Sequence, residues 1–215
     1  VPYPPLFRSL LAAGVAQAQE NVTWTTLVAA SAAGNDLTKT GSNTRWDAGA
    51  SSTRAIASGN GYAEFTATQA NVSWMAGLND VDGDTDWHEI DYAVYFCQNG
   101  WIYAYDDTGK YWLSPYSAGT VVRVEIQGAD VIYRVDGIVR AQHPHGGLTY
   151  PLLLDASLYS PGAVVADAAL SGSLIDVVHI QDVVWTNKVF SDDGGGSSTR
   201  SEEHTSELQS PNPIS

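Results

Sequence analysis

The feature that most restricts how this chain can fold is a two-residue alternation of apolar and polar side chains, broken at short intervals by turn residues. Glu64-Phe65-Thr66-Ala67, Val122-Arg123-Val124-Glu125-Ile126 and Ile132-Tyr133-Arg134-Val135 each place apolar side chains on one face and polar ones on the other. That is the pattern of a strand with one buried face. No long segment carries an apolar stripe at helical spacing. Ser58-Gly59-Asn60-Gly61, Asn99-Gly100 and Asp136-Gly137 punctuate the runs. The last two predict tight type I′ hairpins, because both central residues of that turn need positive φ. Many short strands at such spacing predict an all-β sandwich or barrel.

Charge narrows the partners. Of 215 residues, 24 are Asp or Glu and 10 are Lys or Arg, a formal net charge of −14. No basic stripe exists to neutralise phosphates, which argues against nucleic acid and anionic membrane as ligands. Calcium and neutral polymers suit such a chain better. The lone Cys97 follows the apolar run Tyr92-Ala93-Val94-Tyr95-Phe96; with no second cysteine there is no disulfide framework, and a small buried hydrophobe is the expected role.

The ends read differently from the body. Leu6 to Ala18 carries one basic residue, a short apolar stretch and an Ala-x-Ala ending, the layout of a signal-peptide remnant, with export and an extracellular or cell-surface location as the expectation. The apolar stretch is too short to span a membrane. Asp182-Val183-Val184-Trp185-Thr186-Asn187-Lys188-Val189 restates Asn21-Val22-Thr23-Trp24-Thr25-Thr26-Leu27-Val28, with Trp185 repeating Trp24 at an offset of 161 residues. A period of that length is a whole domain, so the parent reads as a tandem array whose partners include neighbouring repeats. Arg200 to Pro211 resembles, residue for residue, the translation of a short-read sequencing-library adapter. The expected organisation is a leader over 1–19, a monomeric domain over 20–172, a linker with the start of a second repeat over 173–199, and a non-native tail over 200–215.

The order Trp24-Thr25, Asn35-Asp36-Leu37-Thr38-Lys39-Thr40, Trp46-Asp47-Ala48-Gly49-Ala50, Gly61-Tyr62-Ala63-Glu64-Phe65, Glu89-Ile90-Asp91-Tyr92-Ala93 and Tyr150 to Tyr159 resembles the concanavalin A-like jelly-roll domains of bacterial surface and secreted proteins. Gly119 to Val124 followed by Ile132 to Gly137 is also similar to the SPRY and laminin-G-like pattern. The resemblance covers residues 22 to about 172. It implies two apposed antiparallel sheets, one concave, with binding through that face or the loops at its rim.

Four groups of residues could carry chemistry. Glu89-Ile90-Asp91-Tyr92-Ala93 resembles the Glu-x-Asp-x-Glu strand of laminarinase-like glycoside hydrolases, where alternate carboxylates share a face. Ala93 stands where the general acid/base would be, a group worth about 10²–10⁴-fold in rate. Catalysis is therefore not expected, and Glu89 and Asp91 read as polar binding groups beside a strand. Asp80, Asp82, Asp84 and Asp86 alternate around Gly83 and supply the hard oxygen ligands that calcium takes, without matching an EF-hand; the competing reading is a solvated acidic loop. Trp74, Trp87, Trp101, Tyr103, Tyr105, Tyr111, Trp112 and Tyr116 are a dense supply of flat rings. Core packing is expected for most, with Trp87 and Trp112 exposed to stack on a ligand. His143-Pro144-His145 lacks further metal ligands in sequence and reads as a surface loop.

These readings converge on a noncatalytic binding or adhesion module with Trp87, Trp112, Glu89 and Asp91 as ligand-binding residues and carbohydrate or a surface polymer as partner. A purely structural spacer and a laminarinase-like glycoside hydrolase are the alternatives.

Overall fold

The structure, a computed structural model, describes residues 18–177. The expected leader up to residue 17, the expected second repeat from Asp182 and the expected non-native tail lie outside the described residues. In chain order the strands are β1 (Gln19–Asn21), β2 (Trp24–Val28), β3 (Ala30–Ala33), β4 (Asp36–Lys39), β5 (Ala48–Ala67) and β6 (Trp74–Asn79). A 3-10 turn at Trp87–Glu89 precedes β7 (Tyr92–Cys97), β8 (Trp101–Asp106) and β9 (Gly109–Pro115). Then come β10 (Val121–Gln127), β11 (Asp130–Val135), β12 (Ile138–Pro144), β13 (Leu152–Leu158) and β14 (Val164–Asp176). Every strand pairing among the described residues is antiparallel.

The long strand β5 makes this one hydrogen-bonded sheet into two layers. Its first half pairs with β13 and with β2, through Ala50↔Ala156 and Trp24↔Ser52. Its second half pairs with β10 and β14, through Phe65↔Val122 and Ala63↔Leu170. One layer therefore runs β2-β5-β13-β6-β7-β8-β9 and the other β12-β11-β10-β5-β14, with β4 and β1 on the far side of β14 and β3 beyond β4. This is the concanavalin A-like jelly-roll sandwich that the residue order resembles.

The layers meet through aromatic side chains. Phe65 of the second layer touches Trp74 and Phe96 of the first at 5.8 and 6.2 Å between ring centroids, and those two stack at 3.9 Å. Ile56, Leu78, Val94, Ile102, Val124 and Leu154 complete the same buried cluster. At the far edge the buried Tyr133 hydroxyl donates to Asp106 Oδ2 at 3.0 Å, and His143 stacks on Tyr111 at 4.3 Å. His143 is thus a packed ring on β12 rather than part of a loop.

Two expectations need adjustment. Asp136 and Gly137 both have positive φ, 51° and 77°, as a type I′ hairpin requires. At the other turn only Gly100 does, at 84°. Gln98 lengthens that connection to three residues, so Cys97 faces Trp101 and the Gly100 N–H donates to Cys97 O at 2.9 Å, a type I turn ending in a left-handed glycine. The domain also runs past residue 172. Leu174, Ile175 and Asp176 pair with Ile56, Ala55 and Arg54, so the segment expected to begin a linker is the end of β14.

Removing the ring that joins the layers should be costly, because a cavity is added to the lost transfer free energy. Phe65→Ala is expected to lower unfolding stability by about 3–5 kcal/mol in denaturant titrations. Truncation of the exposed Ile138 should change it by less than about 0.5 kcal/mol. Equal effects would contradict the packing described.

Candidate functional site

The strands that send Trp74, Phe96 and Ile102 into the core send the alternate residues to the opposite face of the first layer. That outer face carries Met75 on β6, Ala93, Tyr95 and Cys97 on β7, and Trp101, Tyr103 and Tyr105 on β8. Such a face would ordinarily be wet. Here the segment between β6 and β7 folds back over part of it: Met75, Ile90 and Ala93 are buried and form a second small core with Trp46, Trp87, Tyr95 and Tyr105 packed against it. β13 is consequently buried on both faces.

Rings continue from this small core across the sheet. Trp87 meets Tyr105 at 5.5 Å and Trp46 at 6.3 Å; Trp46 meets Tyr95 at 5.9 Å and Tyr159 at 5.0 Å. Tyr95 stacks with Tyr103 at 6.3 Å, and Lys110 on β9 lies 4.1 Å from the Tyr103 ring centroid, a cation–π contact. At the sheet edge Trp101 and Trp112 lie 5.6 Å apart, 40% and 54% exposed.

Beside Trp87 a cleft of about 450 Å³ opens between the β6–β7 segment, the β8–β9 turn and residues 147–149. Its walls are Trp87, Tyr92, Tyr105, Ile90 and Leu148 together with the carboxylates of Asp80, Asp91, Asp106 and Asp107, and His88. No Lys or Arg lines it. Asp91 accepts the Asp80 N–H at 3.3 Å. Partial burial, then the charges of Asp80 and Asp107, push its carboxyl above the usual carboxylate range.

The structure separates the residues expected from sequence. Trp87 and Asp91 face the cleft. Trp112 is exposed as expected but stands at the sheet edge, and Trp87 is half-buried rather than free. Glu89 and Asp91 are not on a strand: Glu89 ends the 3-10 turn and Asp91 lies in a turn before β7, so the alternation that would have aligned them with Ala93 does not exist. Glu89 Oε2 instead accepts the N–H groups of Gly83 and Asp84 at 3.2 and 2.9 Å, tying the loop to itself.

The four alternating aspartates also take separate paths. Asp80 lines the cleft; Asp82 Oδ2 accepts the Ser51 hydroxyl at 2.8 Å; Asp84 accepts the Asp86 N–H; Asp86 accepts both the N–H and Nδ1 of His88. The His88 N–H, then its ring, holds the Asp86 carboxyl below its ordinary value. Among the described residues no three His, Cys, Asp or Glu side chains gather as a metal site. The set does not fit calcium in this arrangement.

Sequence reasoning missed Trp46, Tyr159, Lys39, Asn79 and Asp155. Lys39, 2% exposed, donates through Nζ to Arg45 O at 2.6 Å, Asp47 Oδ1 at 2.7 Å, Leu158 O at 3.1 Å and Tyr159 O at 3.0 Å. One buried ammonium thus fixes the two backbone segments that present Trp46 and Tyr159. The available signal was a lysine closing the apolar-polar alternation of β4, where a charge facing inward demands acceptors.

No family model and no curated protein matches the chain by sequence. Among solved structures it is similar to the VIP36 exoplasmic/lumenal domain in its Ca2+/Man3GlcNAc-bound form, at 11% identity and a TM-score of 0.50, over 74% of this chain and 86% of that one. It is similar to the TRIM65 PSpry domain at 12% identity and a TM-score of 0.48, over 71% and 91%. A sialidase aligns at 10% identity and a TM-score of 0.45 over 74% of this chain. This chain spans 18% of that sialidase and 26% of a Trypanosoma rangeli sialidase. At these identities the likeness is one of fold.

Lys39→Met should strand three carbonyls and Asp47, and is expected to cost on the order of 3 kcal/mol in denaturant titrations. Breaking the solvent-exposed Arg54–Glu20 pair should cost less than about 1 kcal/mol. A loss below about 1 kcal/mol for Lys39→Met would contradict its anchoring role.

Proposed function

We propose that this domain binds neutral carbohydrate in the cleft lined by Trp87, Tyr92 and Tyr105, without hydrolysing it, as a module of an extracellular or cell-surface protein. The observation that carries the reading is the pairing, in one concavity, of flat aromatic walls with the carboxylates of Asp80, Asp91, Asp106 and Asp107. A pyranose presents apolar C–H faces that stack on rings and hydroxyls that donate to carboxylates, and small-ligand sites combine apolar walls with a few placed polar groups in this way. The exposed Trp112 and Trp101 extend the aromatic track toward the sheet edge, giving a longer glycan a second place to rest.

VIP36, which shares the fold, has been solved with Man3GlcNAc and Ca2+. That supports carbohydrate as a ligand class without transferring its site. The reading stands without calcium, since Asp82, Asp84 and Asp86 are already engaged by hydroxyl or N–H donors. The laminarinase-like arrangement is disfavoured because Glu89 accepts the Gly83 and Asp84 N–H groups and lies off the strand. Four carboxylates with no lining cation also repel anionic sugars, which makes neutral glycans the favoured class.

Glycan-array screening followed by calorimetry tests this. Neutral oligosaccharides should bind and sialylated ones should not. Trp87→Ala and Tyr105→Ala should each weaken binding at least about tenfold, equivalent to ~1.4 kcal/mol, and Trp112→Ala should weaken only longer chains. No glycan retention by the folded protein would leave a structural spacer, and product release from a neutral glycan would make it a hydrolase.

A further inference from the structure

The segment 80–91 covers part of the sheet, with Trp87 and Ile90 packed in the second small core, and near it lies a carboxyl group the glycan reading does not use. Asp155, on β13, is 4% exposed. Its register neighbours are Ser51 on β5 and Gly77 on β6. Asn79 Nδ2 donates to its Oδ2 at 3.0 Å, and Asn79 is itself fully buried with its Oδ1 unpartnered. From above, the loop attaches on either side of it: Ser51 donates to Asp82 at 2.8 Å and the Ser157 hydroxyl donates to the Thr85 carbonyl at 2.6 Å.

The charged groups facing Asp155 are Asp82 and Glu89, both from the loop and both acidic. β5 and β6 face it with Ser51 and Asn79, neither of them charged. A carboxylate formed in that dry space would sit beside two like charges with one amide donor and the Ala156 N–H to receive it. A protonated Asp155 carries no such penalty. β5, β6 and β13 are held to one another by strand pairing, so the loop, which supplies both facing charges, is the part that can yield without breaking the sheet.

We propose that the loop 80–91 is a pH-sensitive latch, closed over the sheet while Asp155 is neutral and released when Asp155 ionises. Burial is the first cause that pushes the Asp155 carboxyl up, to about 7, with the Asp82 and Glu89 charges adding to it and the Asn79 hydrogen bond opposing. The sign follows from proton linkage. Between an unfolded value near ~3.9 and a folded one near 7, the closed state holds a proton that the open or unfolded state has lost. The stability of closure is therefore complete at low pH and falls as pH rises toward and through 7. Because Asp80, Trp87, His88, Ile90 and Asp91 are both loop and cleft wall, release would dismantle the site. This consequence for binding rests on the glycan reading; the latch itself does not.

Hydrogen exchange on the full chain separates the two. Protection factors of the Gly83 and Asp84 amides, corrected for the intrinsic pH dependence of exchange, should fall at least about tenfold between pH 5.5 and 8.5, the coupling worth of one pK unit. In Asp155→Asn they should stay high and flat. Should that variant fail to fold, Asp82→Asn decides, because it keeps an acceptor for Ser51 and removes a facing charge that raises Asp155: the fall should shrink or move to lower pH. Flat protection in the wild type, or a fall unchanged in both variants, overturns the latch. Neutral-glycan affinity should drop with the same profile in the wild type and not in Asp155→Asn. An Asp155-dependent fall in protection without glycan binding at any pH would keep the latch and sink the glycan reading.

Discussion

The packing of Phe65 against the stacked pair Trp74 and Phe96 makes a sandwich out of what is, by hydrogen bonding, one sheet. β5 carries its chain from one layer to the other, and Phe65 lies on the half that has crossed. Once the alternate residues of β6, β7 and β8 are committed to that contact, the pleat leaves their neighbours no choice of face. Met75, Ala93, Tyr95, Tyr103 and Tyr105 must point away from the core. The candidate site is thus the reverse side of the core packing.

A sheet face rich in tyrosine and tryptophan requires cover or a ligand, and this protein provides part of each. The β6–β7 segment covers the β13 side, packing its own Ile90 against Met75 and Ala93. Toward β8 and β9 the rings emerge, and there the cleft opens. Electrostatics divides along the same line. Lys39 sits beneath one end as a buried cation with four acceptors, holding the Trp46 and Tyr159 segments. Across the face buried Asp155 and the carboxylates of the cleft are acidic, with Lys110 over the Tyr103 ring as a cation toward β9. The proposed carbohydrate site and the proposed pH-sensitive latch both rest on this arrangement.

The fold was legible because its signals are local. Period-two runs gave the strands around Glu64, Val122 and Ile132, and Asp136-Gly137 gave a hairpin whose φ values match. Gln98 was the residue that spoiled the second hairpin, since one added position converts a two-residue turn into a three-residue one. The site was half legible. Trp87 and Asp91 stood out for their acidic and aromatic setting, and both line the cleft. The Glu-x-Asp alternation resembles a hydrolase strand, but Glu89 sits before β7 in the 3-10 turn at Trp87–Glu89, which Asp86 caps by accepting the His88 N–H. Trp46, Tyr159 and Asp155 were not readable, for their roles depend on which distant segments the sandwich brings together: Lys39 reaches residues 45 and 159, and Asp155 meets a loop that precedes it by more than sixty residues.

Indole resonances offer the decisive experiment, because tryptophans lie both at the proposed site and far from it. Titrating the ¹⁵N-labelled protein at pH 5.5 with neutral oligosaccharides should shift the indole N–H signals of Trp87 and Trp46, leaving Trp74 and Trp24, which are buried in the core, unmoved. Saturating shifts confined to Trp87 and its neighbours are the predicted result. Unmoved indoles with every neutral glycan, or shifts at Trp24 with Trp87 silent, would contradict carbohydrate binding in this cleft.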